Sequence, residues 1–266
     1  MTFRHAGEPF RAMHDALVGV AIDWSLLDAG QVPGALLERA QRTWAGRAQS
    51  EYRSIQVLTR FLSEALAAGD PIEVQAGAAL AIADEVRHTA LTARVVERLG
   101  ATPLLPEPLG EAESPAFLAL PAAQRALGTA VALLAVNETV SVALIEDLRA
   151  RATHPVIRAV LDATLADEDS HGDFGWAYVA ASLRRFDAEG RAYAAACAEE
   201  ALAPLLGSAR EVVARLPVEQ RSLARWPEPE LANWGLRSLE REALVILDAV
   251  ERRVMPRLRE LGIAAL

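Results

Sequence analysis

Two segments of the chain carry the same pattern, D-E-x-x-H: Asp84, Glu85 and His88 in IADEVRHTAL, and Asp167, Glu168 and His171 in LADEDSHGDF. On an α-helix, residues three apart lie on one face about a turn from each other, so each Glu and His pair can approach one metal ion without bending the backbone. Each pattern also has a carboxylate upstream at similar distance. Glu51 lies 34 residues before Glu85, and Glu138 lies 30 residues before Glu168.

The surrounding sequence supplies the helices that this pattern requires. Ala, Leu, Glu and Arg dominate, β-branched residues are scattered, and no run alternates with period two, so the fold class is all-α. A first long helix is predicted from after Pro33 to about Ala68, with Gly69 as its stop. Asp70 as a cap, Pro71 at the first helical position and Glu73 closing a capping box start a second, which runs to Gly100. Residues 101 to 115 hold four prolines and read as a crossover connection. A third helix runs from Pro121 to about Arg151 and a fourth from Pro155 to about Phe186. Two more follow at roughly 191–216 and 230–261, and residues 1 to 32 are partly helical.

Depth can be calculated from the rise per residue. Glu51 stands 18 residues before Gly69 and Glu85 stands 15 after Asp70, about 27 and 22 Å at 1.5 Å per residue. Glu138 stands 16 residues before His154 and Glu168 stands 13 after Pro155, about 24 and 20 Å by the same rise. All four carboxylates therefore fall in one layer of a four-helix bundle.

Composition removes competing chemistries. All 27 basic residues are Arg, which excludes a Schiff-base lysine, a phosphate-loop lysine and a lysine general base. A net charge of -9, with arginines interleaved among carboxylates, argues against a nucleic-acid surface. The single cysteine, Cys197, forbids an internal disulfide or a C-x-x-C metal site and fits an inert core thiol in a cytoplasmic protein. The longest apolar run, Ala130 to Val136, is far short of a membrane span.

Glu138 interrupts TAVALLAVNETVSVALI, where an ionised carboxylate is costly without a cation or a strong donor. Four carboxylates and two imidazoles offer mixed oxygen and nitrogen donors, which suit iron or manganese better than a closed structural zinc site.

These six positions resemble the ferritin-like di-iron-carboxylate proteins, whose pattern is Glu, E-x-x-H, Glu, E-x-x-H on four antiparallel helices. The resemblance covers residues 34 to 186 and implies a single ferritin-like domain over residues 1–266, with extra N-terminal and C-terminal helices around the four-helix core. It implies Glu51, Glu85, His88, Glu138, Glu168 and His171 as ligands of two iron ions, with Mn/Fe and Mn/Mn as alternatives. The D-E-x-R-H form of the first motif looks like the oxygenase, desaturase and N-oxygenase branches, in which the Asp before the ligand Glu braces a ligand histidine. Asp84 and Asp167 match that role. Arylamine N-oxygenases carry a further His one turn before the last E-x-x-H, and this sequence departs from them there with Thr164.

The function this implies is an O2-activating non-haem di-iron oxygenase or oxidase, acting on a small or carrier-bound organic substrate and drawing electrons from an external donor. The alternatives are iron oxidation and storage in the manner of ferritin or bacterioferritin, or a binding protein with a vestigial site. The roughly 30 residues before the core and 80 after it favour a covered pocket in a monomer or homodimer. Candidate pocket residues are Ala48, Ile55, Thr139, Val142 and Thr164. Gly172 and Gly175, costly within a helix, point to close helix approach or a π-bulge. Trp44 and Trp176 read as core residues.

Overall fold

The computed structural model describes residues 7–104 and 114–263. Among them there is no β-strand. A short helix α1 (Phe10–Val18) and two 3-10 turns precede four long helices: α2 (Gly34–Ala68), α3 (Ile72–Arg98), α4 (Ala122–Arg151) and α5 (Pro155–Ser182). Two more, α6 (Ala188–Ala214) and α7 (residues 239–260), follow. Most of the predicted connection at 101–115 lies outside the described residues.

Helices α2 to α5 pack as a bundle in which α2 borders α3 and α4, and α5 borders α3 and α4. Helix α6 lies on α4, and α7 packs on both α6 and α4. The apolar core divides into two clusters. One joins Leu58, Phe61 and Ala78 to Val131, Val179 and the α6–α7 residues Leu202 and Ile246. The other joins Trp44, Val95, Leu99, Leu148, Ile157 and Leu236. On each of α2, α3 and α5 the predicted metal residues occupy the gap between the two clusters, so the polar layer has an apolar lid above and below.

The ends of these helices follow their sequence signals. Gly69 closes α2 in the left-handed region at φ 72°, and Pro155 opens α5 in its first turn. Two expectations are corrected. Asp70 does not cap α3: its buried carboxylate accepts from Tyr178 Oη at 2.7 Å and from Arg185, and the helix starts without a side-chain cap. The predicted last helix is broken, with one turn at Pro229–Ala232 and α7 starting after the Ser238 cap. Gly235 at φ 74° makes that break, and a Cβ there would meet the Trp44 ring at 2.5 Å. Helix α4, finally, is long and apolar enough to cross a membrane, but 61% of its most apolar window is buried in the bundle, as a core helix requires.

Within α4, residues Ala130–Asn137 form π-helix, ending directly before Glu138. Gly175 of α5 faces this segment, and a Cβ at that position would sit 2.0 Å from the Leu134 carbonyl oxygen. Close approach thus explains Gly175, while the π segment lies across from it on α4. Gly172 has open space around it.

Candidate metal centre

The structure brings all six side chains into one cluster. Glu51, Glu85, His88 and Glu168 present ligand atoms within 4.8 Å of one another, and so do Glu85, Glu138, Glu168 and His171. Glu85 and Glu168 belong to both groups. The sequence divides the residues by hairpin, Glu51, Glu85 and His88 against Glu138, Glu168 and His171. The geometry instead puts Glu51 and His88 at one end, Glu138 and His171 at the other, and the two carboxylates of α3 and α5 between them.

Both imidazoles turn Nδ1 toward the cluster. His88 Nδ1 lies 3.4 Å from Glu168 Oε1 and 3.6 Å from Glu85 Oε2. His171 Nδ1 lies 3.2 Å from Glu168 Oε2, 3.7 Å from Glu85 Oε1 and 3.8 Å from Glu138 Oε1. These two nitrogens, with Glu85 Oε2 and Glu168 Oε2, are buried and have no hydrogen-bond partner. Four buried polar atoms that converge without satisfying each other are what a cation site looks like from the protein side. Donor atoms held about 2.1 Å from one ion stand about 3 to 4 Å apart, the spacing seen here.

The outer nitrogens are held from the opposite helix. His88 Nε2 on α3 lies 3.1 Å from Asp167 Oδ2 on α5, and His171 Nε2 on α5 lies 3.2 Å from Asp84 Oδ2 on α3. Each Asp thus braces the histidine of the other helix, and the bracing is crossed. Arg87 spans both, pairing with Asp84 and lying 3.2 Å from Asp167 Oδ2. Sequence reasoning missed this arginine, although it is the R of D-E-x-R-H.

Burial works against charge at Glu51, His88, Glu138, Glu168 and His171, and the neighbouring groups decide which way each is shifted. Burial opposes a charged ring at His88 and His171, but Asp167 and Glu85 around the first, and Glu138 and Glu168 around the second, raise them to about 10 and about 11. Burial and Glu138 push Glu168 up; burial and Glu85 push Glu51 up. Burial works against ionised Glu138 too, yet Glu168 and His171 hold it below its ordinary value. Cations at the same positions would compete with protons for these groups.

Two cavities reach the cluster. One of about 360 Å³ runs from Arg53 and Ser54 past Asn137 and Phe174 to Glu85, Glu138 and His171. The other, about 480 Å³, reaches Glu51, Glu85, Glu138 and Glu168 from a wall containing Arg39, Arg47, Arg237 and Glu242. None of the five predicted pocket residues lines either. Ala48, Thr139, Val142 and Thr164 are buried in helix packing, and Ile55 faces a third cavity. Thr139 Oγ1 accepts from Trp176 Nε1 at 2.9 Å, and Thr164 Oγ1 donates to Val160 O at 3.1 Å. Serines 50, 54 and 141 line both cavities instead.

In the larger of the two, Arg47 Nη1 and Arg237 Nε are buried without a partner. Burial and Arg237 lower Arg47 to about 9, and burial lowers Arg237 as well. Arg47 lies one turn before Glu51, the only sequence signal that could have found it.

A bundle of four helices around a carboxylate and histidine cluster for two metals defines the chain as a ferritin-like di-iron-carboxylate protein. A family model described as p-aminobenzoate N-oxygenase AurF matches residues 55–242. The chain belongs to that family of ferritin-like di-iron oxygenases and is an oxidoreductase of the O2-activating type. The matched span contains Glu85, His88, Glu138, Glu168 and His171, and begins four residues after Glu51. Comparison with curated proteins and with solved structures gives no match.

Proposed function

We propose that the chain is a cytoplasmic oxygenase that oxidises a small acidic organic molecule held in the cavity of Arg47 and Arg237. The observation that carries this reading is the contact between a six-donor cluster and a cavity lined by Arg39, Arg47 and Arg237 against the single acid Glu242 on that wall. Glu51, Glu85, His88, Glu138, Glu168 and His171 would hold two iron ions. Iron bound there supplies the redox chemistry that activates O2.

The protein contributes orientation and charge. Asp84 and Asp167 fix both imidazole rings with Nδ1 inward. Two divalent cations would neutralise the four cluster carboxylates. That leaves Arg39, Arg47 and Arg237 against Glu242 on the cavity wall, a positive excess that favours an anionic substrate group such as a carboxylate. The core clusters close the layer above and below, and the two cavities give access to it from the side. Thr164, buried with its hydroxyl committed to the helix, adds no seventh donor. The sequence holds no flavin or nicotinamide fingerprint and no cysteine cluster, so electrons come from a separate reductase or small electron carrier.

Ferrous protein exposed to O2 tests this. The expected result is two irons per chain, one round of O2 uptake that then stalls until reductant is added, and a particle of one or two chains by sedimentation. Saturable binding of small organic carboxylates should be lost in Arg47→Gln. A hollow multi-subunit shell that loads many irons per chain would overturn the enzyme reading in favour of storage.

A further inference from the structure

The two cavities at the cluster have Ser50, Ser54, Glu85, Glu138 and Ser141 in common. They are therefore two arms of one groove along the seam between α2 and α4. Thr129, early in α4, donates to Glu64, late in α2, at 3.0 Å, so the two helices run in opposite directions. Arg47, Ser50, Ser54 and Val57 follow one another down the groove on α2, and Leu144, Ser141, Asn137 and Leu133 do so on α4. From Arg47 to Leu58 and from Leu133 to Leu144 is 11 residues each, about 16 Å of helix on either side.

The arms differ in chemistry. One ends on Arg39, Arg47 and Arg237 against Glu242. The other has a wall of Val57, Leu58, Ala81, Leu133, Leu134 and Phe174. Its two arginines do not repeat the first end, since Arg60 lies 3.9 Å from the buried Glu64 and Arg53 is exposed to solvent, where a lone charge attracts only weakly.

The cluster lies between the two ends. On α2, Glu51 stands four residues past Arg47 and Val57 stands six past Glu51, about 6 and 9 Å along the helix. A molecule reaching only from the arginines to the cluster would leave the apolar wall of the second arm against water.

We propose that the substrate is an elongated acid with an apolar extension. Its anionic group lies at Arg39, Arg47 and Arg237, its far end rests on Leu58, Leu133, Leu134 and Phe174, and its middle, rather than its tip, passes the cluster. This rests on the arginine arm as an acid site and adds the second arm, the direction of the molecule and its length.

Calorimetric titration of the iron-loaded chain, in air and without reductant, tests it with benzoate, 4-butylbenzoate, 4-butylbenzamide and 4-(3-carboxypropyl)benzoate. The butyl acid should bind at least about tenfold more tightly than benzoate, because part of its chain leaves water, and at least about tenfold more tightly than its neutral amide. Arg39→Gln should weaken benzoate and 4-butylbenzoate by the same factor. Val57→Asn and Leu133→Asn should leave benzoate unchanged and cut the gain from the butyl group to about threefold or less. If one of these variants does not fold, the other still decides. Failure of both acids to bind would overturn the acid site and this proposal together. Equal binding of the two acids, a butyl gain that survives the Val57 and Leu133 variants, or tighter binding of the diacid than of the butyl acid would overturn the proposal alone and leave the acid site standing.

Discussion

At the scale of single residues, the crossed braces give each histidine its orientation from the helix it does not belong to. Asp167 holds His88, which stands at the Glu51 end, and Asp84 holds His171, at the Glu138 end. Replacing one carboxylate with an amide of the same shape should therefore loosen one end of the cluster more than the other. Asp167→Asn is expected to weaken metal binding roughly ten- to a hundredfold at the Glu51 end, and Asp84→Asn to do so at the Glu138 end. Titration with ferrous iron against a competing chelator reads this as a drop from two tightly held metals to one. An unchanged titration would count against the bracing role.

At the scale of the elements, α5 and the π segment of α4 approach so closely that only glycine fits between them. Gly175→Ala would set a methyl group 2.0 Å from the Leu134 carbonyl oxygen, and since that neighbour is backbone, one helix must move. A loss of about 1–3 kcal/mol is expected, as for overpacking generally. Gly172→Ala, three residues earlier with nothing within 4 Å, should instead gain roughly 0.5–1 kcal/mol from better helix propensity. Urea unfolding midpoints of the two variants should shift in opposite directions. The seam also shows why Glu138 could be singled out in the sequence while its backbone could not. An acid in an apolar run is visible in composition, but a π turn replaces one backbone hydrogen-bond pattern with another that the same residues can form.

At the scale of the whole molecule, α7 is tied to the bundle by a buried node around Asp147. Arg241 donates to both Asp147 oxygens at 2.6 to 3.1 Å, and Arg151 adds another contact at 2.8 Å. Burial opposes the charged carboxylate, but the two guanidinium groups hold Asp147 below its ordinary value. A carboxylate depressed in the folded state stabilises the fold above its unfolded pKa of about 3.9 and loses that contribution as pH falls through the lower folded value. Asp147→Asn should cost about 3–5 kcal/mol at neutral pH, because it leaves the buried Arg241 without its carboxylate partner. In urea unfolding, the gap between wild type and variant should narrow below about pH 4, whereas a gap constant down to pH 2 would rule out the charge as its source.

The sequence alone determined the four long helices of the bundle and their hairpin order, and it named the six side chains that the structure brings together. Those features rest on a fixed rise of 1.5 Å per residue and on residue types that name their own chemistry, so Glu51, Glu85, Glu138 and Glu168 could be placed in one layer by counting. What only the tertiary structure decided is everything that depends on which faces meet. Pairing Asp84 with His171 required knowing that α3 faces α5. Arg47 and Arg237 share a wall although they stand on different elements far apart in the chain. The cavities went unread for the same reason: they are the space that packed side chains leave, and Ala48, Thr139, Val142 and Thr164 went into packing while three serines and the arginines were left facing the centre. Local sequence fixes where a side chain sits along its helix; the rotation of each helix against its neighbours, settled by the burial of all of them at once, fixes what that side chain touches.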